Sequence, residues 1–341
     1  MIIKINLEII KFIRMSKRIN STFEQILSLV RLSISKKKSY ELHNPYFSKD
    51  ETTLLNNCVK SSYVATSGKY INLFEKKLKK ITKSKDVVTV LNGTIALKIC
   101  LKILGIQNGD EVLVPSLTFV GTVNAIKHAG GTPHFIDTDI STLGIDNNKL
   151  KKYIKQISQK NSKGHYINKK TKKKIFAIIP VHVFGNVGKI DELCKIANSF
   201  NLKIIEDAAE GLNSFYKKKH VGNFGDLGVL SFNANKIITT GGGGAIICGS
   251  TKMGKKIRHL TSTAKIKHKW EFLHDEIGWN YRMNNLSSAL GCAQLNKFSK
   301  IKKLKNNLSN KYLKNSKKFI NINFLKEPKF CKSNKWMNVV L

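Results

Sequence analysis

From residue 85 onward, short apolar runs, turns and longer apolar segments alternate along the chain. The run Val87–Leu91 stops at Asn92-Gly93-Thr94, and apolar positions then continue to Leu104, which is long enough for a buried helix. Further predicted helices are Thr118–His128 and Ile190–Phe200, and further predicted strands are Glu111–Val114, His134–Ile136, Lys174–Val183, Leu202–Glu206, Gly228–Phe232 and Ala245–Cys248. This alternation predicts an α/β fold with a mostly parallel sheet covered by helices on both faces. Binding residues are expected where strands end and helices begin.

The composition is strongly basic, with a formal net charge of +38 over 341 residues. A nucleic-acid-binding protein is one interpretation, because basic surfaces release counterions from phosphates. However, only five of the 60 basic residues are arginines, and the lysines are spread along the whole chain. Base and phosphate recognition favours the planar, bidentate donors of arginine. We therefore interpret the charge as a solvated lysine-rich surface that remains compatible with a small anionic substrate, and we expect no nucleic-acid partner.

The six cysteines are scattered, with no CxxC pair and no Cys/His cluster. This pattern is typical of a reduced, cytoplasmic protein without a structural metal site. Charged residues interrupt every apolar run within residues 1–30, so neither a membrane span nor a secretory signal is predicted there. An amphipathic helix on a membrane surface is an alternative. We favour an upstream start, with Met15 as the effective beginning and an ordinary helix from Phe23 to Leu32.

A first candidate site lies at Asn92-Gly93-Thr94-Ile95, where a strand turns into a helix. Free backbone N–H groups and the positive end of the helix dipole make such a turn an anion site. The simpler alternative is a plain turn in which Thr94 caps the helix.

A second candidate site is the segment from Lys203 to Glu210, an apolar strand that delivers adjacent carboxylates to its carboxyl end. These carboxylates could bind a metal, act as acid and base, or neutralise a cationic ring nitrogen, and the simplest alternative is a capping aspartate. A metal is the least favoured function, because no histidine or cysteine cluster accompanies the carboxylates.

A third candidate site is Lys236, which lies among small and apolar residues in Ser231–Thr240 and precedes four glycines. Burial favours a neutral amine and therefore Schiff-base chemistry. Most lysines have no such role, and the glycines alone could form a flexible loop. A Walker-type phosphate loop is excluded, because no Gly-Lys-Ser/Thr follows them.

Six segments in this order and spacing carry a family resemblance: NGTIAL, PSLTFVGTVNAI, PVHVFG, IEDAAE, GNFGDLGVLSFNANKIITTGGGGAII and HDEIGWNYRMNNLSSALGCAQL. From about Glu41 to its end, the chain resembles the DegT/DnrJ/StrS family of pyridoxal-phosphate (PLP) sugar aminotransferases. Within that family it is most similar to the aminotransferases of legionaminic-acid and bacillosamine-type pathways. The pair formed by IEDAAE and SFNANKIITTGGGG is the most specific part of the resemblance.

The resemblance implies fold type I and a homodimer whose active sites take residues from both subunits. It divides the chain into an N-terminal helical extension at residues 1–40, a large PLP-binding domain at 41–292 and the start of a small C-terminal α+β lobe at 293–341. Residues 335–341 resemble the first strand of that lobe, which relatives continue through several more elements. An incomplete small lobe is therefore expected.

The resemblance also implies roles for individual residues. Lys236 would attach the cofactor covalently and then shuttle a proton, and Asp207 would pair with the protonated pyridine nitrogen. Phe119 would stack on the ring, and Glu210 would lie near the ring hydroxyl. The cofactor phosphate would be held by four residues, of which the last would come from the neighbouring subunit: Gly93, Thr94, Ser231 and Asn280.

By the same resemblance, the chain would move an amino group from an L-amino acid, with glutamate expected, to C4 of a UDP- or GDP-linked 4-keto-6-deoxy sugar. The product would enter surface-glycan or nonulosonic-acid biosynthesis. A deoxygenating dehydratase of the same fold would carry histidine in place of Lys236, which argues against that relative. A catalytically impaired or regulatory homologue stays open as an alternative, as do the nucleotide, the sugar and the amino donor.

Overall fold

The structure is a computed structural model that describes residues 21–34, 44–320 and 322–340. Its centre is a seven-stranded mixed sheet in the order β1-β11-β10-β7-β6-β2-β3. Strand β11 runs antiparallel to both of its neighbours, and the other adjacent pairs are parallel. The strands of this sheet are β1 (Asp86–Val90), β2 (Glu111–Pro115), β3 (Thr132–Ile136), β6 (Ile175–Ile178), β7 (Lys203–Asp207), β10 (Leu227–Ser231) and β11 (Gly244–Cys248).

Helices join these strands, and two small sheets lie beside them. The helical elements are α1 (21–33), α2 (Lys49–Lys60), α3 (Lys69–Thr82), α4 (Gly93–Leu104), α5 (Val120–His128), α6 (Asn147–Ile157), a 3-10 turn (Val183–Gly185), α7 (Ile190–Ser199), α8 (Thr251–Thr261), α9 (Asn285–Asn296) and α10 (Phe298–Ser316). The small sheets consist of β4 (Ser158–Lys160) with β5 (Tyr166–Asn168), and of β8 (Phe215–Tyr216), β9 (Lys219–His220) and β12 (Cys331–Lys332).

Successive strand residues point into two separate hydrophobic clusters, one on each face of the sheet. Val87 belongs to the cluster that contains Phe74 of α3, whereas Val88 belongs to the cluster that contains Leu97 of α4. Because side chains alternate along a strand, a strand buried on both faces reads as a continuous apolar run. The predicted α/β architecture with helices on both faces is confirmed.

Two predicted elements are shorter in the structure than in the sequence interpretation. The predicted strand Lys174–Val183 is continuous only over Ile175–Ile178. Pro180 has no N–H for a ladder bond, and pairing with β7 resumes beyond it only as an isolated bridge between Val181 and Asp207. The helix predicted from Thr118 begins at Val120, with Phe119 at the N-cap. The lysine-rich stretch after Leu150, expected as a surface excursion, consists of the rest of α6 followed by the β4–β5 hairpin.

The C-terminal segment packs back onto the rest of the chain. Strand β12 pairs with β8, and in the described part of 335–341 the backbone forms only an isolated bridge from Val340 to Phe324. The strand expected at 335–341 is therefore absent from the described residues. Its backbone bonds go elsewhere, since the Trp336 N–H donates to the Asn334 side chain.

Helix α1 agrees with the helix predicted from Phe23 to Leu32. The questions about Met1, Met15 and an amphipathic membrane helix fall on residues 1–20, which lie outside the described residues. Division of the chain at residues 40 and 292 stays a prediction. Within the described ranges, every helix is too short or too polar to cross a lipid bilayer.

Candidate active site

A cavity of about 540 Å³ opens where β1, β7 and β10 end and α4 and α5 begin. This is the expected position for a binding site in such a sheet. Seven of the eight predicted site residues line it: Gly93, Thr94, Phe119, Asp207, Glu210, Ser231 and Lys236. The eighth, Asn280, is exposed, forms an isolated bridge with Ser262 and does not line the cavity.

Helix α4 presents its N-terminus to the cavity. The cap is Asn92 rather than Thr94, because the Asn92 side-chain oxygen accepts the Ile95 N–H at 2.9 Å. The interpretation of Thr94 as the cap was therefore wrong, and Thr94 belongs to the first helical turn, where N–H groups have no acceptor within the helix. Gly244 allows the turn to sit against β11, since a Cβ there would lie 2.5 Å from the Asn92 carbonyl carbon. These features suit an anionic group such as a phosphate.

Asp207 ends β7 and is 5% exposed. One carboxylate oxygen accepts the Thr122 hydroxyl at 2.7 Å, and the other accepts the Ala209 N–H at 3.1 Å. Among the described residues, no basic side chain forms an ion pair with Asp207. A buried carboxylate is costly without a cationic partner, so this position suits a ligand that brings its own positive charge.

Lys236 follows β10 and points into the same cavity. Its ammonium nitrogen lies 3.2 Å from an oxygen of Glu210, and the two side chains are 12% and 16% exposed. The ring of Trp336 lies 4.5 Å from the same nitrogen. Burial raises the pKa of the Glu210 carboxyl, whereas the Lys236 charge and the Phe184 N–H oppose this rise.

Phe119 and Ser231 complete the predicted set. The Phe119 ring is 71% exposed at the N-cap of α5, so one of its faces is available to a planar ligand. Ser231 ends β10 close to the α4 turn, where a Cβ on Gly93 would lie 3.2 Å from the Ser231 Cβ. A larger residue at position 93 would fill part of this cradle.

The cavity residues fit PLP on chemical grounds. The N-terminus of α4 suits its phosphate, the unpaired Asp207 suits its protonated ring nitrogen, and the amine of Lys236 suits its carbonyl carbon. All three groups line one cavity. The described residues hold no cluster of metal-binding side chains.

A buried pair behind Asp207 was not singled out from the sequence. His182 lies 2.9 Å from Glu206, whose oxygens also accept the Gly222 and Gly225 N–H groups. Burial alone would raise the pKa of Glu206, but the bonds from His182 and from these N–H groups lower it below its ordinary value. The pair joins the end of β7 to residues 222–225 and so fixes the backbone that carries Asp207.

Thr122, Phe184 and Trp336 are among the cavity residues that sequence reasoning did not single out. Thr122 lies four residues after Thr118, and its hydroxyl accepts the Thr118 hydroxyl at 2.9 Å. Thr118 lies before the N-cap of α5, so helical spacing does not pair it with Thr122. No local signal in the sequence pointed to Thr122 or to Trp336.

Comparison with known proteins settles the class. A model of the DegT/DnrJ/EryC1/StrS aminotransferase family matches residues 45–341. The chain belongs to this family. It is a PLP-dependent sugar aminotransferase with the type I fold, and it acts on nucleotide sugars in glycan biosynthesis.

Individual relatives sharpen the comparison. GDP-perosamine synthase of Escherichia coli O157:H7 is 36% identical over 304 residues, which cover 89% of this chain and 78% of that protein. The putative pyridoxal phosphate-dependent aminotransferase EpsN of Bacillus subtilis (strain 168) is 31% identical over 304 residues, covering 89% and 75%.

One solved structure has a closely similar fold. Helicobacter pylori PseC, an aminotransferase involved in the biosynthesis of pseudoaminic acid, superposes with a TM-score of 0.79 at 25% identity and covers 89% of this chain and 78% of that one. These relatives support the family but do not favour the expected legionaminic-acid subgroup.

Proposed function

We propose that this aminotransferase moves the amino group of L-glutamate to C4 of a nucleotide-linked 4-keto-6-deoxy sugar, with GDP as the first nucleotide to test. The observation that carries the chemistry is the convergence of Lys236, Asp207 and the α4 N-terminus on one cavity. The choice of GDP is supported by the 36% identical GDP-perosamine synthase. UDP is the alternative nucleotide.

Each residue has a distinct task in this proposal. When bound, PLP supplies an electrophilic carbon and a ring that accepts an electron pair. Lys236 would attach the cofactor through its amine and, once released, would carry a proton between the donor carbon and the cofactor carbon. Asp207 would keep the ring nitrogen protonated, and the Thr122 hydroxyl and the Ala209 N–H hold its carboxylate in place.

The remaining cavity residues bind and orient the cofactor. Gly93, Thr94 and Ser231, which line the cavity, would hold the phosphate, and Phe119 would cover one face of the ring. Glu210 would lie near the ring hydroxyl. These roles combine the resemblance with the positions of the residues around the cavity.

Replacement of Lys236 by alanine tests the central role. Lys236→Ala should fold, lose the violet absorbance of a lysine-bound cofactor and lose amino transfer, because the attaching amine is gone. In the wild type, borohydride should fix the cofactor to Lys236, which peptide mapping identifies. Turnover by the variant, or fixation at another lysine, would contradict the assignment.

Substrate choice needs a separate assay. Glutamate should remove the violet absorbance of the PLP-bound protein. A GDP-linked 4-keto-6-deoxy sugar should then restore this absorbance faster than the UDP-linked analogue. A faster response to the UDP sugar would replace GDP in the proposal. No response to any amino acid would favour the catalytically impaired homologue.

The active unit proposed here is a homodimer with shared sites. Asn280 lies outside the cavity of its own chain, so a role at a phosphate requires the cavity of another copy. The segment before it carries exposed apolar side chains, with Trp270 79%, Phe272 80% and Ile277 93% exposed. Such a surface is typical of an interaction site.

Mixing two inactive variants tests the sharing. A heterodimer of Lys236→Ala and Asn280→Ala subunits would assemble one site with both residues intact, because a two-fold axis pairs each site with the opposite subunit. We expect each variant alone to be impaired and the mixture to regain up to half of the native activity per heterodimer. A mixture that stays inactive although its subunits exchange, or a fully active monomer, would refute shared sites.

A further inference from the structure

The ammonium group of Lys236 lies between the side chains of Glu210 and Trp336. Glu210 contributes a carboxylate oxygen at 3.2 Å, and Trp336 contributes an aromatic face at 4.5 Å. A cation is attracted both to a carboxylate and to the face of an indole ring. Lys236 therefore has a defined place to lie when its amine is not covalently bound.

Glu210 is held for this contact through its second oxygen. That oxygen accepts the Phe184 N–H at 2.6 Å, which leaves the first oxygen for Lys236. Phe184 adopts a left-handed backbone conformation, with φ 56° and ψ 21°, within the turn that follows β6. Non-glycine residues rarely adopt this conformation, and it is concentrated at sites where surrounding structure enforces it.

Trp336 is fixed from three directions. Its indole N–H donates to the Asn235 carbonyl at 2.8 Å, directly beside Lys236 in the chain. Its ring stacks on Phe184 with centroids 6.5 Å apart, and its backbone N–H donates to the Asn334 side chain. The indole is thus positioned relative to the backbone that carries the lysine.

One buried residue, Asn334, joins Glu210 to Trp336. Asn334 is 2% exposed, and its side-chain amide donates to the Glu210 carbonyl at 2.7 Å while its oxygen accepts the Trp336 N–H at 2.9 Å. Gly185 leaves room for it, because a Cβ at that position would lie 2.1 Å from the Asn334 oxygen. Movement of either Glu210 or Trp336 would therefore break a hydrogen bond to the Asn334 side chain.

We propose that Glu210, Phe184 and Trp336 form a lysine clamp that holds the ammonium group of Lys236 whenever its amine is released from the cofactor. The clamp rests on the proposed attachment of the cofactor to Lys236. It keeps the released side chain beside the reacting carbons instead of letting it sample many rotamers. Trp336 is a positioning residue in this scheme, since it acts through Lys236, and Glu210 positions Lys236 in addition to its proposed place near the cofactor ring.

Two acidic residues line the cavity in the described part of the chain. Glu210 contacts the Lys236 ammonium directly, and the charge of Asp207 raises the pKa of Glu210. Removal of the Glu210 charge therefore removes the direct partner of the ammonium.

The emission of Trp336 reports the position of Lys236 without any measurement of activity. The chain has three tryptophans, so Trp270→Phe with Trp279→Phe leaves Trp336 as the sole reporter. The full chain would be measured without cofactor and again with pyridoxamine phosphate, because the lysine is free in both states. Lys236→Met should shift the emission maximum, and Glu210→Gln should shift it in the same direction because the ammonium is no longer held.

Glu192→Gln is the matched control. It removes a glutamate that pairs with Lys189 at 3.4 Å on the exposed surface, and it should leave the emission unchanged. Unchanged emission in Lys236→Met, or in a folded Glu210→Gln, overturns the clamp. If borohydride still fixes the cofactor to Lys236 in the parent, that failure concerns the clamp alone. Fixation at another lysine overturns the proposed function instead.

Discussion

Gly121 tests whether the positions of Phe119 and Thr94 matter for cofactor binding. A Cβ at residue 121 would lie 2.8 Å from the Thr94 hydroxyl oxygen and 2.9 Å from the Phe119 ring. Contacts this short force a neighbour to move. Both neighbours are proposed to touch the cofactor, so Gly121→Ala should weaken cofactor binding by displacing them.

The effects on folding and on binding should differ. Within helix α5, alanine gains about 1 kcal/mol over glycine, and overpacking costs roughly 1–3 kcal/mol. The Phe119 ring is 71% exposed and can turn away, which keeps the cost to folding low. We expect the free energy of unfolding without cofactor to change by less than about 1 kcal/mol.

Cofactor binding cannot avoid the displacement in this way. If PLP binds only when the Phe119 ring and the Thr94 hydroxyl return to their wild-type positions, the overpacking cost reduces the free energy of PLP binding. A loss of about 1–3 kcal/mol corresponds to a dissociation constant raised roughly 5- to 150-fold. Titration of cofactor-free protein with PLP, followed by absorbance, measures this change, and thermal denaturation of the same samples measures folding.

Gly249→Ala is the control, because a Cβ there has nothing within 4 Å. It should bind PLP like the wild type. If Gly121→Ala also binds PLP as tightly as Gly249→Ala, then Phe119 and Thr94 do not contribute to the cofactor site as proposed.

Two further predictions concern the carboxylates at the end of β7. Asp207→Asn should keep the fold but slow amino transfer by orders of magnitude, because an amide does not keep the ring nitrogen protonated; a wild-type single-turnover rate would contradict this role. Because the pKa of Glu206 is lowered in the folded protein, its carboxylate stabilises the fold above the ordinary glutamate range, and this contribution is lost as the pH falls through the lowered pKa. Glu206→Gln should therefore lose less stability than the wild type on acidification, as urea midpoints would measure, and parallel pH profiles would refute the effect.

The strand and helix pattern could be predicted because the core is built from local repeats. The predicted run Val87–Leu91 is buried as far as Val90, and β1 occupies nearly the same residues, Asp86–Val90. Predicted boundaries were wrong where one residue changed the backbone bonding. Pro180 interrupts the predicted strand after Ile178, and Asn92 caps the helix for which Thr94 was the alternative cap.

The positions of Asp207 and Ser231 at the sheet edge that forms the cavity were predictable for a topological reason. The carboxyl ends of parallel strands lie at one edge of a sheet, so Asp207 and Ser231, which end β7 and β10, were expected at the same edge. That these two strands are adjacent is a finding of the structure. Asn280 follows no strand of this sheet, and nothing in the topology brings it to the cavity of its own chain.

The position of Trp336 at the cavity could not be predicted in this way. Trp336 reaches Lys236 through one bond to the Asn235 carbonyl, across 101 positions of sequence. No periodicity encodes such a contact, because it depends on where a long connection returns to the sheet. The chain has 55 lysines, and what distinguishes Lys236 from the others is therefore supplied partly from outside its own segment, by Glu210 after β7 and by Trp336 near the C-terminus. The motif around Lys236 selects the residue, whereas contacts from distant segments set the environment in which its amine works.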